Sequence, residues 1–292
     1  MRSVYCPQLR KYLEVPNEVS KVASLTPSIT ATMIDLGLKD RLVAYSPWCK
    51  LLRYFRYEVP ELPVVGTYDR VFTDVMKKVS PDLVLISGGA QEVLINSLED
   101  LGIPYYVIRL PEGMDFLNIP VEVGYVLNCL SEAFRLVRRF SYELSELINE
   151  VKELGLISVR VGIVLDIHEL VLPGFANHIT QLLNFVGYEV TNEFIEGGYV
   201  WGPKVKELIN EVVKKADVVL IQAPKVELSN DVISKYSSII NGKTALILPI
   251  LTLTDYSLRI IKNVKALSRI VNKALNYGGV HVVSTNELLK HY

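Results

Sequence analysis

The fold of the first half of this chain is decided by the stretch Lys21-Val-Ala-Ser-Leu-Thr-Pro-Ser-Ile-Thr30. Its apolar start predicts a short buried strand, and Thr26 or Ser28 can cap a helix that ends before Gly37. Further along, Ser80-Pro-Asp leads into an apolar run at 83–86, which is typical of a strand covered on both faces. A strand, a helix and a second strand in this order predict a parallel sheet with right-handed crossovers.

The second half of the chain repeats this pattern. It contains Val159-Arg-Val-Gly-Ile-Val-Leu165 and later Lys215-Ala-Asp-Val-Val-Leu-Ile221, so an Asp again leads into a buried strand. The repetition predicts two similar α/β lobes with open parallel sheets. Two lobes imply a cleft between them, and we expect a protein of this size to hold a ligand there.

A long helix is predicted between the two halves. Its apolar residues recur every three or four positions, at Phe134, Val137, Phe140, Leu144, Leu147, Val151 and Leu154. No Gly or Pro interrupts 127–154, and a helix of that length would span roughly 40 Å. We therefore predict an α/β fold of two Rossmann-like lobes joined by a single long backbone helix. The N-terminal lobe is expected at 1–118, the helix at 119–155 and the C-terminal lobe at 156–292.

The composition argues against several classes of function. The chain has 292 residues, of which 50% are hydrophobic, and its formal net charge is −1. This charge, together with the lack of a basic cluster with interleaved aromatics, argues against nucleic-acid binding. Cys6, Cys49 and Cys129 cannot all pair and form no CxxC motif. We therefore expect buried thiols rather than a disulfide framework or a cysteine zinc site.

We expect no signal peptide in the first residues of the chain, because no apolar segment of the required kind precedes the first predicted strand. As written, the chain is expected to be cytoplasmic. If it is the trimmed mature form of a longer protein, it is expected outside the cytoplasm. No stretch without charges is long enough to span a membrane, and we expect a monomer.

The loops after the predicted strands carry aromatic side chains and few reactive groups. Ligands of open parallel sheets bind beyond the carboxyl ends of the strands. The loops at these ends contain Trp48, Tyr68, Gly88, Gly89, His168, Tyr199, Trp201 and Tyr256. Aromatic walls with a few polar groups suit large, flat organic ligands. Each aromatic alone is more often part of ordinary packing, but both tryptophans of the chain fall in these loops.

The glycine turn at 87–89 has two interpretations. A Ser-Gly-Gly sequence can bring backbone N–H groups close to a ligand, because glycine lacks a Cβ. A plain tight turn is the commoner use of such a pair. The turn is not a phosphate loop, since the GxxxxGK[ST] pattern is absent.

Metal binding and catalysis have weaker support in the sequence. His168 and His178 could ligate a metal or haem iron, although a loop or cap histidine is the commoner role. Asp166, His168 and Glu169 lack a further ligand at the spacing of a metal site. The chain has no GxGxxG or GxSxG motif, and nothing near Cys49 indicates an activated thiol. We therefore predict no catalytic residue, no intrinsic cofactor and no metal site.

Several motifs resemble those of the substrate-binding proteins of cobalamin and iron-chelate ABC importers. The stretch at 21–30 begins the resemblance, and four further motifs and one longer segment continue it in order: Asp35-Leu-Gly-Leu-Lys-Asp-Arg-Leu-Val-Ala44, Pro63-Val-Val-Gly66, Ser80-Pro-Asp-Leu-Val84, Ser87-Gly-Gly89 and Leu101-Gly-Ile-Pro104. The resemblance covers about 20–290, and the C-terminal half matches by element order alone. It implies that the long helix is the interlobe helix of this class.

The resemblance also implies roles for individual residues. In the cobalamin-binding members, aromatic side chains of the strand-end loops hold the corrin ring. Trp48, Trp201 and the pair Asp255-Tyr256 match those positions, and Ser87, Gly88 and Gly89 match the loop after the Pro-Asp strand. One acidic residue per lobe would dock on the permease, which implies Asp74 in the first lobe and Glu207 or Glu211 in the second.

The function implied is non-catalytic binding of a large metal-chelate ligand. Cobalamin or another corrinoid is preferred as the ligand, and an ABC importer permease is the implied partner. One alternative is a haem or iron–siderophore binding protein that uses His168, His178 or a tyrosine. Another alternative is a cytoplasmic corrinoid-handling protein or an enzyme.

Overall fold

The computed structural model of the chain describes residues 1–167, 169–229 and 231–292. Contacts divide the chain into two compact units. The first contains Met1–Leu110 and Phe116–Arg139, and the second contains Pro111–Asp115 and Phe140–Tyr292. Each unit has its own sheet of parallel strands, so the predicted α/β class with two lobes is confirmed.

The first unit contains a parallel sheet, a separate hairpin and short helices. Its strands are β1 (Arg2–Cys6), β2 (Lys11–Val15), β3 (Val22–Ser24), β4 (Leu42–Tyr45), β5 (Leu83–Ser87) and β6 (Tyr105–Ile108). Its helices are α1 (Pro27–Asp35), α2 (Thr73–Val79), α3 (Ile95–Asp100), α4 (Ile119–Val126) and the first part of α5 (Leu130–Glu153). The parallel sheet has the order β4-β3-β5-β6, which brings the carboxyl ends of β3, β4, β5 and β6 to one edge.

The hairpin of β1 and β2 was only half predicted. The run Tyr12-Leu-Glu-Val before Pro16 indicates an edge strand, and β2 confirms it. β1 was missed because only Val4 and Cys6 alternate as buried side chains, which is too short for a clear period of two. The two strands pair antiparallel, with Tyr5 opposite Tyr12.

The start of α1 differs from the predicted cap. Thr26 occupies the N-cap position, but its side chain makes no capping hydrogen bond. The hydroxyl of Thr26 instead donates to Oε1 of Gln91 at 2.6 Å. Pro27 stabilises the first turn without a cap, because its fixed φ suits a helix start. The strand-end loop after β5 is thus tied to the start of α1.

The segment predicted as one helix at 119–155 contains two. α4 ends at Val126 and α5 begins at Leu130, because Asn128 has a backbone φ of 57°, in the left-handed region that a right-handed helix cannot use. Asn tolerates this region better than most residues, and its Nδ2 donates to the carbonyl of Asn17 at 2.8 Å. α5 has 24 residues and a length of about 36 Å, and the boundary between the units lies inside it.

The second unit contains a larger sheet. Its strands are β7 (Arg160–Asp166), β8 (Leu170–Pro173), β9 (Glu189–Val190), β10 (Tyr199–Val200), β11 (Val218–Gln222), β12 (Thr244–Leu248) and β13 (Val280–Val282). Its helices are the rest of α5, α6 (His178–Val186), α7 (Pro203–Lys215), α8 (Val232–Ile240), α9 (Arg259–Tyr277) and α10 (Thr285–Leu289). The sheet follows the order β10-β8-β7-β11-β12-β13, and β9 also pairs with β7.

Most of this sheet is parallel, but one edge is not. β7, β11, β12 and β13 run parallel, whereas β8 is antiparallel to β7 and β10 is antiparallel to β8. The sequence pattern after the strand at 159–165 predicts a loop at 166–176, but this segment contains β8. β8 and β10 are short and depend on pairing with distant residues, so local sequence pattern does not reveal them.

Each unit has a buried core. In the second unit, the core packs side chains of β7, β11 and β12, such as Val164, Val219 and Ile247, against α7. In the first unit, Cys6, Cys49 and Cys129 are all buried, as predicted, and none forms a disulfide. No helix in the described parts of the chain combines the length and the apolar character needed to cross a membrane.

Candidate functional site

Two predicted aromatic residues of the first unit lie in the segment between β4 and β5. Trp48 follows β4 at the start of a 3-10 helix, Pro47–Phe55, and its side chain is half-buried. Tyr68 is 39% exposed and lies in a short turn between Gly66 and Val71, which pair as an isolated antiparallel bridge. Both side chains therefore retain surface for a ligand, and their ligand-binding role stays a prediction.

The glycine turn after β5 has its backbone N–H groups occupied by protein acceptors. The N–H of Ser87 donates to Oε1 of Gln91 at 2.8 Å, that of Gly88 to the carbonyl of Ile108 at 2.8 Å, and that of Gly89 to Oε1 of Glu92 at 2.8 Å. Ser87 and Gly88 are buried, while Gly89 is exposed. The expectation that these amides bind a ligand stays a prediction, and it would require these bonds to be exchanged or shared.

A glutamine of the N-terminal hairpin packs against this turn. Nε2 of Gln8 donates to Oε1 of Glu92 at 2.7 Å, and the Leu110 N–H donates to Oε1 of Gln8 at 3.3 Å. A Cβ added to Gly88 would lie 2.4 Å from Cδ of Gln8, so any larger residue at 88 would displace the end of this side chain. The sequence analysis did not identify Gln8, Gln91 or Glu92. The position of Gln91 and Glu92 soon after the glycine turn was the one available signal for these two residues, and Gln8 had none.

Two of the predicted aromatic residues of the second unit, Tyr199 and Trp201, are brought together. Tyr199 and Trp201 stack with ring centroids 5.9 Å apart and an interplanar angle of 16°. The Trp201 side chain is 58% exposed, so one broad aromatic surface faces solvent. The Tyr199 side chain also hydrogen-bonds the side chain of Asn177, which caps α6.

Backbone pairing fixes the position of this aromatic stack. Tyr199 of β10 pairs with Pro173 of β8, and the Gly174 N–H donates to the carbonyl of Gly198 at 3.0 Å. A Cβ at Gly174 would lie 2.5 Å from the carbonyl oxygen of Gly197. A glycine at 174 is therefore needed for the two segments to approach so closely.

Asp255 is engaged inside the second unit. Its Oδ2 accepts hydrogen bonds from Nε of Arg259 at 2.7 Å and from the hydroxyl of Ser257 at 2.9 Å, and the Arg259 Nη2 also contacts it. Asp255, Tyr256 and Arg259 are all buried. Gln222, at the end of β11, accepts the N–H of Leu253 and so holds the same segment. The roles of Asp255 and Tyr256 toward a ligand stay predictions.

His178 is buried next to this segment. Its ring contacts that of Tyr256 edge-on, with centroids 6.3 Å apart. Burial lowers the pKa of His178 to about 4, while the charge of Asp255 and a hydrogen bond with the Leu253 backbone act in the opposite direction. A neutral, buried imidazole is suited to holding structure, and it presents little surface to a large ligand.

The described residues give no support to metal ligation. His168, named as a candidate ligand from sequence, lies outside the described residues. Within residues 1–167, 169–229 and 231–292, no group of three or more His, Cys, Asp or Glu side chains is arranged to hold a metal ion. The predicted docking acids are both on the surface, with Asp74 in the first turn of α2 and Glu207 on α7.

Sequence comparison identifies the family. The family model for periplasmic binding proteins matches residues 22–198, which is more than half of the chain. The family is a substrate-binding class. No curated protein sequence matches the chain.

Solved structures share the fold. A periplasmic heme binding protein from Pseudomonas aeruginosa has a TM-score of 0.71 at 16% identity, with 87% of this chain and 93% of that chain covered. The periplasmic vitamin B12 binding protein of Vibrio cholerae has a TM-score of 0.64 at 16% identity, with 90% and 98% covered. A possible iron-binding protein from Staphylococcus epidermidis has a TM-score of 0.66 at 14% identity, with 87% and 99% covered. With the sequence match, these structures lead to one conclusion: this chain belongs to the periplasmic binding protein family.

Proposed function

We propose that this chain binds a large, flat metal-chelate ligand, preferably cobalamin or another corrinoid, and releases it unchanged. The observation that carries this proposal is the exposed stack of Tyr199 and Trp201. Similarity to binding proteins for vitamin B12, heme and iron supports the class of ligand.

The chemistry of the stack favours a macrocycle with apolar faces. An indole that leaves more than half of its surface in water gains free energy when a flat ligand covers it. The partner ring of Tyr199 holds the indole in one orientation, so less side-chain freedom is lost on binding. No chemical step is required of these side chains.

Titration of the protein with cyanocobalamin and with haemin tests the proposal. Trp201→Ala is expected to weaken binding of the preferred ligand by about 1–3 kcal/mol, and Trp48→Ala by a similar amount. Phe185→Ala is the matched control, because Phe185 is an exposed aromatic of the same unit, on α6. Equal affinity of Trp201→Ala and wild type would contradict the proposal, and chemical change of the recovered ligand would indicate an enzyme instead.

Haem or iron–siderophore binding is the second candidate. Tyr68 favours it, because an exposed phenol can ligate ferric iron and the side chain is 39% exposed. Several structural neighbours are heme-binding proteins. Tight haemin binding with a shifted Soret band, lost in Tyr68→Phe but kept in His178→Gln, would establish this candidate over the corrinoid.

Delivery to an ABC permease completes the proposal. Asp74 and Glu207 are proposed as the docking residues, since each is exposed on the surface of a different unit. Their acidic side chains suit basic residues on a permease.

A further inference from the structure

The end of β5 carries a surface patch that combines apolar residues with one carboxylate. We define this β5-end patch as Gln8, Gly89, Ala90, Glu92, Val93 and Leu110. Val93 is 62% exposed and Leu110 is 38% exposed. All six residues belong to the first unit, at the strand-end edge where ligands of parallel sheets bind.

Glu92 is held in place through one of its two oxygens. Oε1 accepts the Gln8 Nε2–H at 2.7 Å and the Gly89 N–H at 2.8 Å. Among the residues that the structure describes, neither a hydrogen bond nor an ion pair involves Oε2. Two donors on one oxygen fix the carboxylate while the other oxygen keeps its capacity to accept.

No basic side chain neutralises Glu92 in the described parts of the chain. Arg109, which precedes Leu110, acts on another carboxylate: its backbone N–H donates to Glu122 at 3.4 Å, and its charge lowers the pKa of Glu122 against the larger effect of burial. The β5-end patch therefore presents a fixed acceptor with negative charge, beside apolar surface.

From this geometry we propose that Glu92, positioned by Gln8, is a specificity-determining residue that selects ligands with amide edges over ligands with carboxylate edges. This inference rests on the proposed function. An amide N–H donates a charge-assisted hydrogen bond to the available oxygen, whereas a ligand carboxylate meets like charge and must stay solvated. The substrate class is then a macrocycle whose side chains are amides, such as an amidated corrin.

A matched pair of ligands tests the selection on one ring system. Dicyanocobinamide carries amides on the corrin, and dicyanocobyrinic acid carries carboxylates on the same corrin. The wild type is expected to bind the amide ligand about tenfold or more tightly, as followed by tryptophan fluorescence. Glu92→Gln is expected to narrow this ratio, chiefly through tighter binding of the carboxylate ligand. Gln keeps an acceptor oxygen for Gly89 and Gln8.

Asp100→Asn is the control, because it removes one negative charge from the same unit at an exposed position on α3. It is expected to leave the ratio unchanged. An equal ratio in Glu92→Gln and wild type would overturn the inference, provided thermal unfolding shows both to be folded.

The same titrations distinguish failure of the proposed function from failure of the Glu92 inference. If the wild type binds neither corrinoid nor haemin, the proposed function fails and the inference falls with it. If it binds haemin alone, the corrinoid preference is wrong, but haemin carries two carboxylates and can still test whether Glu92 disfavours carboxylate ligands. Glu92→Gln should then bind haemin more tightly than wild type, and unchanged haemin affinity would overturn the inference alone.

Discussion

At the scale of single residues, Asp255 and Arg259 form a buried ion pair in the second unit. Both side chains are buried, so neither charge can be solvated if its partner is removed. We predict that Arg259→Leu lowers the free energy of unfolding by about 3–5 kcal/mol, measured by urea denaturation. Glu58→Gln is the control, since it breaks an exposed pair with Lys39 and should change little. An unchanged urea midpoint in Arg259→Leu would contradict the prediction.

We expect His178 to make the free energy of unfolding depend on pH. Its folded-state pKa of about 4 is below its ordinary value of 6.5, so between these values the unfolded chain binds a proton that the folded chain does not. This contribution to stability is complete above pH 6.5 and is lost as pH falls toward 4. We predict that His178→Gln makes urea stability fall less steeply than in wild type over this window. Parallel curves would show that His178 is not the cause.

Sequence reasoning at this scale found the aromatic residues but not the long-range polar contacts. Tyr199 and Trp201 are two positions apart, so their proximity is visible in the sequence. The contact of Gln8 with Glu92 joins residues that are 84 positions apart, and the sequence gives no sign of it. Long-range polar contacts depend on the tertiary fold, which local pattern does not specify.

At the scale of helices and strands, the break between α4 and α5 can be traced to a single residue, Asn128. Asn128 adopts a left-handed conformation, which costs a residue with a Cβ roughly 1–2 kcal/mol unless its side chain compensates. We predict that Asn128→Ala lowers the free energy of unfolding by about 1–2 kcal/mol in urea denaturation. Asn128→Gly also loses the bond to Asn17 but tolerates positive φ, so it should lose less. Equal losses would exclude backbone conformation as the cause.

Elements with strong local signals were predicted well, and the others were not. The sequence pattern predicts a helix at 73–79, a strand at 105–108 and a helix at 178–186, and these are the bounds of α2, β6 and α6. Each of the three combines an apolar pattern with a start or stop signal. β8 and β10 are defined by pairing with each other and with β7, and α8 lies in a segment with few such signals. Hence the parallel part of the second sheet was predictable, but its antiparallel edge was not.

At the scale of the whole molecule, family membership connects ligand binding with a membrane partner. Asp74 lies in the first unit and Glu207 in the second, and both are exposed. We predict that Asp74→Lys and Glu207→Lys leave ligand affinity unchanged but lower uptake of ligand by membrane vesicles that contain the permease. Asp100→Lys, a charge reversal at another exposed site, serves as control. Equal uptake by all variants would rule out these two acids as docking residues.

The position of the cysteines makes their alkylation a probe of local unfolding in the first unit. Cys6, Cys49 and Cys129 are all buried in the first unit, and the second unit contains no cysteine. Burial also raises the pKa of each thiol, so few thiolates are present at neutral pH. An alkylating reagent should therefore modify the native protein only when the first unit transiently exposes its thiols. The rate of alkylation then reports how often this exposure occurs, without any engineered label.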